Sequence, residues 1–376
     1  MKIVYCIAGT YNSGGMERVL ANKANALVKA GHEVVVVTTD QRGQQSFFPF
    51  DDAIKSYDLD VNYEVNNGKS FLNKLLHYPI KQWQHKKRLT HLLKDLKADV
   101  VVSMFCNDAG FLPKIKDGSH KVLEIHFSRF KRLQYGRKGL WKWADRWRSY
   151  TDKKTVARFE RFVVLTEEDK GYWGDLFNMV VIPNARTFNV DTPAALDNKQ
   201  VIAVGRYSYQ KGLDRLLDAW KIVCQKIPDW KLCLVGDGEL RGELEKQIER
   251  LGLQDSVVLG RAVTNMLSVY KKSSILALSS HYEGLPMVLL EAQAAGLPIV
   301  SFACKCGPKD IITDGKDGFL VEEGDVENLA EKLLALIENE DLRKSMGLAA
   351  YENSKHFSEE EIMKKWLELF TELCAK

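Results

Sequence analysis

The chain of 376 residues has no run approaching about 18 consecutive apolar residues, so the sequence predicts no membrane-spanning helix. Its first residues, Met1-Lys2-Ile3-Val4-Tyr5-Cys6-Ile7-Ala8, lack the long apolar segment and cleavage site of an export signal and read as a first β-strand. Cysteine is scarce: seven, an odd number, scattered along the chain. With no export signal, that excludes a disulfide scaffold and points to reduced thiols in the cytoplasm. Cys304 and Cys306 have no second cysteine pair and no nearby histidine, so no metal site is expected there. Low-complexity segments and short-period repeats are absent. With 45% hydrophobic and 28% charged residues, extended disorder is excluded as well.

Charge of one sign is lacking overall but not locally. The net charge of +4 conceals 30 Lys/Arg against 20 Asp/Glu in residues 1–185 and 24 against 30 in residues 186–376. A basic half joined to an acidic half predicts two domains and an anionic partner for the first.

Short runs rich in Val and Ile alternate with helical patterns along the whole chain. Ile3–Ala8, Glu33–Thr38, Asp99–Met104, Lys121–Ile125 and Arg161–Leu165 read as strands of the first half. Val201–Val204, Lys231–Val235, Ser256–Leu259, Ser274–Leu278, Pro298–Phe302 and Gly318–Val321 read as strands of the second, with a helix from Leu213 to Lys226. Continuous apolar strands joined by helices indicate an α/β fold of doubly wound parallel sheets. Pro183-Asn184 followed by polar Asp191–Gln200 places a linker at about 184–199. The expected division is a domain over 1–183 and a second over 184–357. A capped amphipathic helix follows within 358–376, with Ser358 as N-cap and Glu360 and Glu361 in its first turn. Two such sheets facing one another would leave a ligand cleft between the carboxyl ends of their strands.

Four stretches carry chemistry. Gly9-Thr10-Tyr11-Asn12-Ser13-Gly14-Gly15-Met16-Glu17-Arg18 joins the first strand to the first helix, where glycines let a ligand approach the free N–H groups. Its spacing is neither G-x-G-x-x-G nor a P-loop, and a simple tight turn remains open. Val204-Gly205-Arg206-Tyr207-Ser208-Tyr209-Gln210-Lys211-Gly212 sets two cations five residues apart, suited to a diphosphate or, on its own, to a solvated basic loop. In Ser279-Ser280-His281-Tyr282-Glu283-Gly284-Leu285-Pro286, Glu283 lies in a loop and Glu291 follows eight residues later, about two turns into a helix. A lone helical Glu is usually a surface charge, yet Glu291 sits among Leu289, Leu290, Ala292, Ala294 and Ala295. A carboxylate there can accept hydrogen bonds from vicinal ribose hydroxyls. His126, directly after Val122–Ile125, reads either as structural or as a cleft residue.

Taken in order, Gly14-Gly15-x-Glu17-Arg18, Gly205-Arg206 with Lys211-Gly212, Val235-Gly236-Asp237-Gly238, Glu283-x7-Glu291 and Cys306-Gly307-Pro308-Lys309-Asp310-Ile311-Ile312 resemble family 4 of the retaining, GT-B-type glycosyltransferases over nearly the whole chain. The likeness is to transferases of bacterial exopolysaccharide, capsule and lipopolysaccharide assembly, amylovoran-type polymers among them. The resemblance implies two Rossmann-like domains facing across a cleft, an acceptor domain first and a nucleotide-sugar donor domain second, with the C-terminal helix packing back on the first. It implies that Arg206 and Lys211 hold the diphosphate, that Glu291 binds the ribose, and that Glu283 and the amides of Gly284 and Leu285 contact donor sugar and phosphate. His126 would face the transferring sugar, and Gly15 would let the first domain close over phosphate or acceptor. The shorter Glu283-Gly284-Leu285-Pro286 and the Asp at 310 depart from the frequent family pattern without removing a contact.

No cofactor is expected beyond an NDP-sugar co-substrate, by implication UDP-linked, with transfer to a polyprenyl-diphosphate-linked glycan. No metal is expected, since Arg206, Lys211 and loop amides can stabilise a departing diphosphate without one. The sole Asp-x-Asp, Asp58-Leu59-Asp60, falls in Lys55–Val65, which alternates like a strand. Arg129–Arg161 holds 12 Lys/Arg and 3 Asp/Glu, interleaved with Phe130, Tyr135, Trp141, Trp143, Trp147, Tyr150 and Phe159. That composition favours an anionic membrane surface, hence a peripheral protein on the inner face of the plasma membrane, over a partly buried helix or a nucleic-acid partner. Two other readings stand beside the transferase. A GT-B-fold sugar-nucleotide epimerase would turn over without acceptor, and a silent membrane-docking partner would lack the phosphate residues.

Overall fold

Runs of β-branched residues form the inner strands of two parallel sheets in the computed structural model, which describes residues 1–66, 71–130, 139–263 and 265–375. Val34–Val37 and Val100–Val102 are fully enclosed, as strands covered by helices on both faces must be. The first sheet contains β1 (Lys2–Ile7), β2 (Glu33–Thr38), β3 (Lys55–Asp58), β4 (Val100–Ser103), β5 (His120–Glu124), β6 (Arg161–Val164) and β7 (Met179–Val181) in the order β3-β2-β1-β4-β5-β6-β7. The second contains β8 (Gln200–Val204), β9 (Lys231–Val235), β10 (Val257–Leu259), β11 (Ile275–Leu278), β12 (Ile299–Phe302) and β13 (Gly318–Val321) in the order β10-β9-β8-β11-β12-β13. Strand order reverses between β1 and β4 in one sheet and between β8 and β11 in the other. Loops at such switch points diverge and leave a crevice for ligand.

The chain divides into two compact units. One comprises Met1–Leu165, Lys170–Ile182 and Ile362–Lys376; the other comprises Thr166–Asp169 and Pro183–Glu361. In the first, the C-terminal helix Glu359–Cys374 buries Trp366, Leu369, Phe370 and Leu373, and Arg161 Nη2 donates to Glu372 Oε1 at 2.6 Å. Ser358 Oγ accepts the Glu361 N–H at 3.2 Å and three glutamates fill the first turn, which satisfies free amides and complements the helix dipole. In the second, Trp220, Leu216, Leu217, Leu333 and Leu336 form the core against β8 and β11.

One local expectation is corrected. The strand read over Lys55–Val65 stops at Asp58, because Asp60 and Asn62 take φ of 48° and 58° and the amides of Leu59, Val61 and Asn62 turn back to Thr38 and Thr39. Asp58 commits its carboxylate to Thr38 and to the amides of Arg42 and Asp60, so the Asp-x-Asp triplet shapes a turn. The segment 184–199, read as the linker, has no helix or strand, and parts of it are packed. Val190 and Leu196 are buried, and the Arg186 amide donates to Phe357 O at 2.7 Å.

Candidate active site

At the β8/β11 switch point the loops are stitched together by backbone and side chain. The His281 amide donates to Gln210 O at 2.8 Å, Ser279 Oγ to Lys211 O at 3.0 Å, and the Glu283 amide to Lys305 O, beyond β12, at 3.0 Å. Lys211 and Glu283 are thereby brought together. Lys211 Nζ lies 2.7 Å from Glu283 Oε1, which also accepts from Ser280 Oγ at 2.6 Å. The Glu283 side chain is 7% exposed and that of Lys211 17%, so the pair is held largely out of water. Sequence reasoning assigned both to the donor without foreseeing that each neutralises the other.

Arg206 is different. It projects into solvent with no ion-pair partner among the described residues, leaving its charge available. Its neighbour Tyr207 is fully buried and anchors the loop, its hydroxyl donating to Leu234 O at 2.9 Å and Gly260 O at 2.8 Å. Burial pushes that phenol up to about 12, so it stays a donor. Gly236, after β9, packs so closely here that a Cβ would stand 1.9 Å from Gly205 O. The amides of Gly284 and Leu285, just ahead of helix Met287–Ala294, donate to no acceptor among the described residues. An exposed guanidinium, a shared ammonium and open amides at one carboxyl edge form a cradle for an anion.

Glu291 lies in the fifth position of helix Met287–Ala294, little more than one turn in rather than two. It is 5% exposed, which excludes the surface-charge reading. Its Oε1 accepts from Thr187 Oγ1 at 2.8 Å and its Oε2 from Tyr270 OH at 2.9 Å. Thr187 and Tyr270 were not legible as site residues, since they lie 104 and 21 positions away with no local pattern. Asp310, where the family frequently has Glu, accepts the Glu167 amide at 2.7 Å.

The remaining predicted residues belong to the other unit. Gly15 begins helix Gly15–Lys29, and a Cβ added there would meet nothing within 4 Å, whereas on Gly14 it would stand 2.2 Å from Glu17 Oε2. The near atom at Gly14 is the mobile end of a side chain that can turn aside, and the second glycine faces open space. His126 follows β5, its Nε2 3.1 Å from Glu124 Oε1.

Comparison with known proteins accords with this geometry. Residues 13–186 match the model of Glycosyltransferase Family 4, and residues 185–353 that of Glycosyl transferases group 1. An uncharacterized glycosyltransferase of Haemophilus influenzae is 31% identical over 376 residues, covering 97% of this chain and 98% of its own. The chain belongs to the family 4 glycosyltransferases of GT-B type. A second relative, the Campylobacter jejuni GalNAc-α-(1→4)-GalNAc-α-(1→3)-diNAcBac-PP-undecaprenol α-1,4-N-acetyl-D-galactosaminyltransferase, is 29% identical over 381 residues and 99% of each chain. Among solved structures, a mutant of Staphylococcus aureus TarM, in complex with fondaparinux, α-GlcNAc-glycerol and UDP, superposes with a TM-score of 0.77 at 20% identity, covering 98% of this chain and 99% of that one. The fold and the glycosyltransferase class of this chain follow.

Proposed function

We propose that this glycosyltransferase moves a hexose or N-acetylhexosamine from a UDP-sugar to a polyprenyl-diphosphate-linked glycan, with retention and without a metal ion. The observation that carries the reading is the cradle at the β8/β11 switch point, where Arg206, Lys211 and the amides of Gly284 and Leu285 line one carboxyl edge. Charge on a departing diphosphate grows as the glycosidic bond breaks, so these groups stabilise the transition state more than the ground state. Glu291 serves the ribose hydroxyls, with Thr187 and Tyr270 fixing its two oxygens. The naming of UDP in the TarM complex and of an undecaprenol-linked acceptor in the Campylobacter relative supports the choice of both substrates.

A thermal-shift panel of UDP, GDP, ADP and CMP, metal-free and then with Mg²⁺, tests this reading. UDP at 100 times its Kd is expected to stabilise the protein by about 2.7 kcal/mol without metal, and Glu291→Gln to weaken that binding about tenfold or more. The amide keeps the shape of the buried carboxylate but turns one acceptor into a donor, which the Thr187 or Tyr270 hydroxyl must rotate to accept. A melting curve without nucleotide separates lost affinity from lost stability. No shift with any nucleotide, or a shift that requires Mg²⁺, would contradict the assignment.

The acceptor side fits an anionic membrane surface. On helix Leu140–Val156, Trp143, Trp147 and Tyr150 are spaced four and three apart, share one face, and are 68%, 57% and 58% exposed. Lys142, Arg146, Arg148, Lys153 and Lys154 lie on the same helix, and Asp145, one of the three acidic residues of the stretch, is buried. Residues 131–138 of this stretch lie outside the described residues. Among the described residues no helix is long and apolar enough to cross a membrane. Vesicle sedimentation is expected to require anionic lipid, to fade with salt and to weaken about tenfold in Trp143→Ala/Trp147→Ala. Equal binding to neutral vesicles would reject the electrostatic account.

A further inference from the structure

A buried charge network behind His126 is not used by the reading above. Glu124 ends β5 and its side chain is 1% exposed; its Oε1 accepts a hydrogen bond from Lys23 Nζ, on helix Gly15–Lys29. Lys23 is 6% exposed, and its ammonium lies 3.8 Å from the ring centroid of Trp366 and 5.7 Å from that of Tyr5. The same Oε1 faces His126 Nε2 at 3.1 Å, within ion-pair range although off the hydrogen-bonding direction. Burial by itself would raise the Glu124 carboxyl, but the Lys23 ammonium, with His126 beside it, outweighs that and holds the group down at about 2. The carboxylate is an anion throughout the physiological range.

Stability does not explain such a pair. Removing two charges from water is costly, and well-packed apolar residues of the same volume often serve as well or better. Between Tyr5, Trp366 and the sheet, Met and Leu would fill the space. What they could not do is present a fixed anion to an imidazole two residues further along the chain. A carboxylate behind a histidine selects which ring nitrogen carries the proton and limits the ring's rotation. Such hydrogen bonds are often poorly aligned without substrate and tighten in the complex.

We propose that Lys23 and Glu124 are positioning residues for His126: the carboxylate, held by Lys23, takes the Nε2–H and fixes the ring, so that Nδ1, buried here with no protein partner among the described residues, is the nitrogen kept for the transferring sugar. The inference rests on the reading that His126 faces that sugar. It also gives Trp366 a task, since its ring covers the ammonium and couples docking of the C-terminal helix to the orientation of the histidine.

The test uses the full chain labelled with ¹⁵N-histidine, the His126 signals being assigned by their loss in His126→Gln. With UDP bound, the wild type is expected to show a slowly exchanging, downfield His126 Nε2–H proton. In Lys23→Met/Glu124→Leu that proton is expected to vanish and kcat to fall about 10²-fold, with KM for the UDP-sugar within about threefold and the melting temperature retained. A double variant that keeps the proton or keeps wild-type kcat would overturn the proposal. If the double variant does not fold, the wild-type spectrum decides, because absence of a protected His126 Nε2–H there overturns it equally. A wild type that transfers from no UDP-sugar would instead sink the functional reading, and the same spectrum would still report whether Glu124 holds the ring.

Discussion

Replacing Lys211 with methionine is expected to lower turnover by about 10²–10³-fold, the effect of deleting one group that stabilises charge developing in a transition state. The substitution has a second consequence that must be separated from the first. Glu283 would remain buried with Ser280 Oγ and the long 3.5 Å contact of Gln210 as its side-chain partners, without a cation. Breaking a buried pair from one side costs about 3 kcal/mol, so the single variant should melt early as well as turn over slowly. Lys211→Met/Glu283→Gln removes both charges and is expected to recover most of the melting temperature but none of the turnover. Steady-state kinetics beside a melting curve distinguishes the two. If the double variant regained wild-type kcat, Lys211 would act only as the partner of Glu283 and the diphosphate role would fall.

Gly236→Ala is expected to destabilise the second unit by about 3 kcal/mol and to weaken nucleotide binding about tenfold or more. The added Cβ would stand 1.9 Å from Gly205 O and 2.9 Å from Gly205 C, and neither is the mobile end of a side chain. The loop after β8 must therefore move away from the loop after β9. Tyr207, tied to Leu234 and Gly260, opposes that movement, and Arg206 moves with whatever gives way. At about 2–4 °C per kcal/mol for a unit of this size, the melting temperature should fall by roughly 6–12 °C. Gly15→Ala is the control, since nothing lies within 4 Å of its Cβ and its melting temperature should stay close to wild type. A Gly236→Ala protein with unchanged melting and UDP affinity would show that the β8 loop does not rely on this close approach.

The buried strands were legible because parallel strands covered on both faces need uninterrupted apolar residues, and Val34–Val37, Val100–Val102 and Ile275–Leu278 leave little alternative. Lys55–Val65 was misread for the converse reason. β3 is an exposed edge strand whose composition carries no burial signal, and backbone turns at Asp60 and Asn62 end it. The candidate site divides along the same line. Arg206, Lys211, Glu283 and Glu291 could be named because they sit on two short loops and one helix whose chemistry is local in the chain.

Alternation of strand and helix, the charge asymmetry and the spacing of the glycine, cation and carboxylate motifs are properties of the chain order, so fold class, family and the donor-site candidates were determined by the sequence itself. Tertiary structure alone decided what each charge does once enclosed: that Lys211 is shared with Glu283, that Glu291 is buried between Thr187 and Tyr270, and that Lys23 reaches Glu124 behind His126. The hydrogen bonds that make these pairings join residues 21 to 104 positions apart. Desolvation makes such contacts decisive, because a charge that is cheap in water must find its partner wherever the fold has carried it.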